Sequence, residues 1–450
     1  MSARAPVALR PAAPATSARP TLAAVADARE GGDVIRLVER LVGDAAAARA
    51  SDVHLEAADD ALHVRHRVDG VVREVERLPG ALGLPLVSRL KILAGLDIAD
   101  RLRPQDGRAR IAARGATVDV RVSTLPAARG ESVVLRLQPG DAALPTLDAL
   151  GFAPDDRARV ERLLDAREGM VLVTGPTGSG KTTTLYAALH RLRERGGVNV
   201  VTVEDPVERR VPGVVQVQVH ERTGLTFATA LRAILRQDPD VVLVGEIRDR
   251  ETAAIAAQAA LTGHLVLATL HTIDAASAVT RLVDVGVEPF KVAAALRGVV
   301  AQRLVRRCCP ACGGRGTLPA GACAPCGGAG LHGRAAVVEV LLADAPVRRR
   351  IARGLGPQAI ARAARGRGMA TLWESGVAQL RAGVTTAAEL RRVLDPPADE
   401  HPPAGARRAR VAEERPPPAG APGRPPRPGP HDGGWPALPA LDETFDVIPP

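Results

Sequence analysis

Apolar positions along the chain change spacing from one region to the next, and the changes mark out two folded regions. Val34, Ile35, Leu37, Val38, Leu41 and Val42 recur at helical spacing. Leu62, Val64, His66 and Val68 alternate as in a half-buried strand, which an Asp69-Gly70 turn closes. Val118, Val120 and Val122 alternate again, ahead of an apolar run at 133–137. Arg65, Arg67, Arg121 and Arg136 take the polar face of these runs, with Asp119 the one acid among them. The pattern predicts a small α+β domain over residues 34–145.

From residue 150 the periodicity switches. Short apolar runs at 170–174, 198–203, 241–244 and 265–270 read as buried strands, and helical stretches at 182–192, 227–237 and 252–261 separate them. Strands alternating with helices imply a mostly parallel sheet with right-handed crossovers. Beyond about residue 334 the chain reads as mostly helical, at 346–353, 358–364 and 372–381. Residues 1–33 are rich in Arg, Ala and Pro and read as a disordered lead. Residues 396–450 are Pro-dense and read as an extended, disordered tail.

Chemistry concentrates at the ends of the buried strands. Gly175, Pro176, Thr177, Gly178, Ser179, Gly180, Lys181, Thr182 and Thr183 form a complete phosphate-binding loop between a strand and a helix. Its glycines let successive backbone N–H groups converge on phosphate oxygens. Lys181 supplies a point charge to the terminal phosphates of ATP, and Thr182 a hydroxyl for Mg²⁺. The chain has only three lysines (Lys91, Lys181, Lys291), so a lysine here signals a need for a compact ammonium. Loop and alternating elements together imply a RecA-like P-loop ATPase core over residues 150–395. Glu246 ends the apolar strand at 241–244, where an ATPase needs a carboxylate to orient or deprotonate water. The competing reading is a helix-start acid, since Asp249 and Glu251 follow. Glu204 and Asp205 end another strand and suit Mg²⁺ or its waters. His264 and His271 bracket the strand at 265–270. Strand carboxyl ends face ligands in such sheets, which favours His271 as the phosphate sensor.

All five cysteines fall within residues 308–326. Cys309-x₂-Cys312 and Cys323-x₂-Cys326 offer four thiolates for a closed, structural Zn²⁺ site, with Cys308 spare. The ten-residue connector is shorter than a usual zinc ribbon. A net charge of +10 invites a nucleic-acid partner, and a nucleic-acid-translocating RecA-like ATPase is the alternative function. Seven aromatic residues (Trp 2, Tyr 1, Phe 4) leave little platform for stacked bases, so no nucleic acid is expected. No run of 18 apolar residues occurs, so no membrane-crossing helix is expected. A non-catalytic scaffold is disfavoured by the intact Lys181 and Glu246.

The motif order is specific. Phosphate loop, Thr202-Val203-Glu204-Asp205-Pro206-Val207-Glu208, Leu235-Arg236-Gln237-Asp238-Pro239-Asp240, Gly245-Glu246-Ile247-Arg248-Asp249, Leu261-Thr262-Gly263-His264 and Thr269-Leu270-His271-Thr272 follow one another. This order resembles the type II secretion and type IV pilus assembly ATPases, over roughly residues 34–395. Ser51 to Glu56 and Pro104 to Arg108 resemble that family's N-terminal domain, and Cys309 to Gly333 its tetracysteine segment. The resemblance implies a homohexameric motor at the cytoplasmic face of the inner membrane. It would be held there through platform proteins and would drive pilin-like subunits into a filament. It also implies that Arg121 and Arg136 reach the nucleotide from the N-terminal domain, that Glu246 is catalytic, and that His264 and His271 form a histidine box. Three features depart from the family. The segment before residue 34 is expected to be too short for the docking module many members carry. Ile273 stands where Asn is usual, and the proline-rich tail has no counterpart.

Overall fold

A computed structural model of the chain describes residues 31–59, 61–138 and 144–397. The expected lead and tail lie almost wholly outside these residues. The first helix, Gly31–Ala47, already takes in the last three residues of the expected lead.

The N-terminal region forms six antiparallel strands: β1 (Ala50–Ala57), β2 (Ala61–Val68), β3 (Val71–Pro79), β4 (Gln105–Ala113), β5 (Ala116–Ala127) and β6 (Gly130–Leu137). Their order is β3-β2-β1-β6-β5-β4. One face is apolar because alternate residues point to it, and two helices cover it. Val38 and Val42 of Gly31–Ala47, with Leu86 and Leu90 of Gly83–Leu93, pack onto Val53, Leu55, Val64, Val122 and Leu135. Asp69 and Gly70 between β2 and β3 have φ of 49° and 83°, the left-handed pair that a two-residue hairpin turn requires. On the opposite face the register lines up Arg67, Asp52, Arg136, Arg121 and Arg108 across five neighbouring strands.

The second region is built on β7 (Gly169–Thr174), β8 (Val200–Glu204), β9 (Val215–Gln218), β10 (Val241–Val244), β11 (Leu265–Leu270), β12 (Leu296–Cys308) and, after a short ribbon of β13 (Thr317–Leu318) and β14 (Gly321–Ala322), β15 (Leu331–Leu342). The order is β15-β12-β7-β11-β10-β8-β9. All neighbours are parallel except β15 against β12. Both faces are covered, which is why these strands read as continuous apolar runs. In β7, Met170 and Leu172 enter one core while Val171 and Val173 enter the other, beside Tyr186 and Leu189 of the helix Lys181–Arg195. This is the expected RecA-like α/β core.

From residue 334 the chain is mostly helical, as expected, but β15 comes first, occupies Leu331–Leu342 and pairs with β12, and the apolar pattern marked neither strand. The helices Ala345–Ala352, Pro357–Arg365, Leu372–Arg381 and Ala387–Val393 follow it. An unalternating run carrying the acid Glu339 gave no period-2 signal. That acid is buried, and its carboxylate accepts from Ala275 N (3.0 Å) and Leu372 N (3.3 Å) at the starts of two helices. It serves as an internal cap, not as a surface charge.

The hairpin turn of the N-terminal sheet touches the start of β15. Asp69 Oδ2 accepts from Gly333 N at 2.8 Å and from Arg49 Nη2 at 3.4 Å, and Arg49 also lies 3.3 Å from His332 Nδ1. Replacing Asp69 by Ala removes the acceptor and puts at φ of 49° a residue that enters the left-handed region less readily than Asp, so it should cost about 1–3 kcal/mol. Asp69→Asn, which tolerates that backbone and keeps an oxygen, should cost less. Amide hydrogen exchange at Gly333 is the readout: exchange unchanged in Asp69→Ala would show that the contact holds nothing.

Candidate functional site

The phosphate loop leaves β7 at Thr174 and enters the helix Lys181–Arg195. Gly175, Gly178 and Gly180 have φ of 146°, 79° and 87°, all in the region that favours glycine. Space is tight as well. A β-carbon on Gly175 would lie 2.5 Å from Gln302 O, and one on Gly180 2.8 Å from Gln302 Nε2. Lys181 Nζ donates to the loop's own carbonyls, Gly175 O at 2.9 Å and Pro176 O at 3.1 Å. Burial lowers the Lys181 pKa, the Glu246 carboxylate opposes that shift, and Arg303 adds to it.

Topology brings the other candidates to this loop. β11 lies beside β7, and β10 beside β11, all parallel, so their carboxyl ends share one edge. Thr174 Oγ1 donates to Leu270 O at 3.1 Å and accepts from Thr272 N at 2.9 Å, tying the loop strand to the segment that carries His271. Thr269 Oγ1 donates to Gly245 O at 2.6 Å, tying that segment in turn to Glu246. Glu246 pairs with Arg248 at 2.6 Å and lies 3.7 Å from His271 Nε2. Burial, then Lys181, holds the His271 pKa below its usual value, so the ring is neutral at neutral pH despite Glu246.

Other predicted residues have different surroundings. Glu204 is buried, and its carboxylate accepts from Tyr186 Oη (2.6 Å), Thr202 Oγ1 (2.7 Å) and Gln216 Nε2 (3.0 Å). Both of its oxygens thus already accept hydrogen bonds inside the protein, while its neighbour Asp205 is exposed. His264 is set apart from the phosphate loop. It precedes β11, its carbonyl accepts from Gly169 N at the opposite end of β7, and its Nδ1 lies 3.0 Å from Ala259 O. A six-residue strand at about 3.3 Å per residue puts it roughly 20 Å from the loop of its own chain. Arg136 donates to Asp52 Oδ1 at 3.0 Å. Arg121 faces the nucleotide core. Burial and Arg108 lower its pKa, while Glu208 and Asp205 of the core oppose that shift. Ile273 has an exposed side chain, and what binds it is its carbonyl, which accepts from Arg303 Nη2 at 2.8 Å. That backbone contact does not depend on the unusual side chain.

The four predicted cysteines form one buried cluster. The sulfurs of Cys309, Cys312, Cys323 and Cys326 all lie within 4.8 Å of one another and form no disulfide. Cys309–Cys323 and Cys312–Cys326 are each 3.9 Å apart. A tetrahedral zinc with Zn–S of about 2.3 Å needs sulfurs about 3.8 Å apart, so the residues fit that ion. Two copies of Cys-x-x-Cys-Gly-Gly-x-Gly, at 309–316 and 323–330, make the site. Gly316 N donates to Cys312 Sγ, and Gly330 N to Cys326 Sγ, at 3.2 and 3.3 Å. The copies also swap bonds: Cys309 N donates to Gly330 O and Cys323 N to Gly316 O. A β-carbon at Gly316 or Gly330 would strike a carbonyl of the other copy. The spacing alone pointed to the ligands. The repeat, also legible in the sequence, explains why the glycines beyond Gly313-Gly314 and Gly327-Gly328 matter.

Sequence reasoning passed over Gln302, Tyr186 and Gln216. Gln302 and Tyr186 are buried and Gln216 is half-buried on the edge strand β9, and each bonds a residue near the nucleotide edge. The available signal was a lone amide in the apolar run 299–305.

Comparison with known proteins agrees with this geometry. The family described as Type II/IV secretion system protein matches residues 27–392. The chain is 50% identical over 376 residues to the type II secretion system protein HxcR of Pseudomonas aeruginosa, covering 83% of this chain and 80% of that one. It is 44% identical over 386 residues to the type II secretion system ATPase E of Vibrio cholerae, covering 82% and 76%. Among solved structures it resembles the pilus retraction motor PilT with bound ADP, at TM-score 0.56 and 27% identity over 79% of this chain and 96% of that one. The match takes in the N-terminal sheet, the nucleotide core and the tetracysteine segment together, and the chain belongs to the type II/IV secretion system protein family.

Proposed function

We propose that this chain is the ATP-hydrolysing motor of a type II secretion or type IV pilus assembly machine, working as a homohexamer on inner-membrane platform proteins. The observation that carries the reading is the convergence of Lys181, Glu246 and His271 on one sheet edge, with Glu246 3.7 Å from His271 and its charge felt by Lys181. The names of the relatives support the assembly role. In this reading attachment to the bilayer runs through partner proteins; no helix among the described residues is long and apolar enough to cross a membrane.

In this reading the N–H groups of residues 178–182 and the Lys181 ammonium hold the phosphates of ATP. Thr182 and Asp205 would offer oxygens to Mg²⁺, which would neutralise charge on the phosphates when bound. Glu246 polarises the attacking water, and neutral His271 donates or accepts at the phosphate edge without adding charge. Arg121 supplies positive charge from the N-terminal sheet. Arginine suits the task because it stays ionised and grips two oxygens. Arg136, held by Asp52, would engage only once that pair opens.

Three outcomes test the assignments. Lys181→Ala should abolish nucleotide binding. Glu246→Gln should still bind ATP while turnover falls about 10²–10⁴-fold; wild-type turnover in Glu246→Gln would remove Glu246 from the chemistry.

Arg121→Ala should cut turnover at least tenfold with little change in ATP affinity, because an arginine of this kind stabilises charge that develops only in the transition state. An equal loss in affinity would recast Arg121 as a ground-state binding group.

One Zn²⁺ per chain should be found by metal analysis of protein purified without chelators. Binding free energy at such a site is folding free energy. Cys312→Ser should therefore loosen residues 309–330 to amide exchange before the nucleotide core is affected. Metal-free protein with an ordered segment would contradict the zinc assignment.

A further inference from the structure

Gln302 is 1% exposed and lies on β12, directly beside the phosphate loop. The pairing of β12 with β7 ends at Ala301 and Thr174, so Gln302 is the first residue past it, level with the turn of the loop. Its amide is used at both ends. Oε1 accepts from Thr184 Oγ1 at 2.7 Å, and Nε2 donates to Ser179 O at 2.7 Å. Thr184 sits in the helix that follows the loop and Ser179 in the loop itself, so one amide bolts both to the sheet.

We propose that Gln302 is a positioning residue for nucleotide binding: by holding the Ser179 carbonyl it sets the direction of the Gly180 N–H. The peptide between Ser179 and Gly180 is planar and trans, so its C=O and N–H point in opposite directions. With the carbonyl drawn back onto β12, the N–H faces the concave side of the loop, where phosphate oxygens are received. The Ser179 carbonyl fixes the amide against flipping, because it can only accept and so requires the nitrogen, which leaves the oxygen to accept from the Thr184 hydroxyl. Ser179 is buried and its own hydroxyl has no partner among the described protein groups, so it is held through its backbone: its N–H donates to Pro176 O, and its carbonyl accepts from Gln302 Nε2. Gly180, at φ of 87°, leaves the room Nε2 needs, since a β-carbon there would lie 2.8 Å from it. Gln302 touches no phosphate and acts only through the loop. The assignment rests on the nucleotide reading of that loop.

Two variants test it. Gln302→Leu keeps the bulk and loses both hydrogen bonds. Gln302→Glu keeps the acceptor and can donate to Ser179 only while protonated, and burial raises the pH at which such a carboxyl ionises. Affinity for a fluorescent ATP analogue with Mg²⁺ is measured across a pH series, alongside amide exchange of residues 176–184 in nucleotide-free protein and the melting temperature. Gln302→Leu should weaken nucleotide binding at least tenfold at every pH and speed exchange in 176–184. Gln302→Glu should bind almost as wild type at acid pH and lose affinity as the pH rises. Two results would overturn the proposal: Gln302→Leu within twofold of wild-type affinity with unchanged exchange, or both variants weakened by one pH-independent factor together with a lowered melting temperature. If the wild-type protein itself bound no nucleotide, the motor reading would fall, and the exchange measurement would still decide whether Gln302 orders the loop.

Discussion

The site depends first on the parallel register of β7, β11 and β10. Each of these strands is buried on both faces, so a polar side chain cannot sit mid-strand without a partner. Charged and hydroxyl groups are thereby pushed to the strand ends, and parallel pairing makes the carboxyl ends coincide. The phosphate loop, Glu246 and His271 therefore meet without any one segment having to reach for another. Thr174 and Thr269 reinforce the meeting by bonding sideways across the strand ends. The same constraint carries His264 away, because a residue that opens β11 must lie at the far edge if a residue that closes it lies at the near one.

β12 extends this logic beyond the nucleotide. Gln302 grips the phosphate loop, and its neighbour Arg303 reaches past β7 to the carbonyl of Ile273, beside the histidine segment. Seven residues after Gln302 the same strand delivers Cys309 to the tetracysteine cluster. The chain returns through Gly333, whose N–H is held by Asp69 of the N-terminal sheet. The run from Gln302 to Gly333 thus links the phosphate loop, the cysteine cluster and the hairpin turn of the other sheet, through its own backbone and a hydrogen bond at each end. Rigidity at the cluster matters for that run, since a loose knuckle would leave β15 without a fixed start. The glycine-mediated N–H···S bonds and the swapped Cys–Gly bonds supply that rigidity in a segment with almost no apolar core of its own.

Much of this is legible in the sequence, and the exceptions share a cause. Strands with one buried face showed their alternation, as at Leu62 and Val64, and buried strands bounded by polar residues or glycine showed their limits, as at 241–244 and 265–270. β12 and β15 were missed because sequence periodicity cannot separate a long two-sided strand from a buried helix. Glu339, buried within β15, caps two helices with its carboxylate, a role no sequence pattern announces. Glu204 was read as half of a metal-binding pair from its position. What position could not reveal was that Tyr186, Thr202 and Gln216, from three different segments, already take up its oxygens. Arg121 and Arg136 differ in the same way: they are cross-strand neighbours with the same exposure to reading, but only Arg136 has Asp52 beside it.

The scarcity of lysine offers a sharper lesson about composition. In an arginine-rich chain each surviving lysine marks a place to look for a geometry that a planar guanidinium cannot meet. Lys181 donates to two carbonyls inside a loop closed by glycines. Lys91 is 1% exposed, donates to Asp100 O at 2.7 Å and pairs with Glu131 at 2.5 Å, a pocket with room for an ammonium and its three donors. Asp100 O also accepts from Gln105, so Lys91 and Gln105 together hold the segment that precedes β4. Lys291 breaks the pattern, since it lies at the surface beside Glu288 and over the Phe290 ring, where an arginine would serve equally well. Two of three lysines are thus explained by enclosed geometry. The inference from rarity to requirement holds where the surrounding groups converge on a point, and fails where the side chain only skirts the surface.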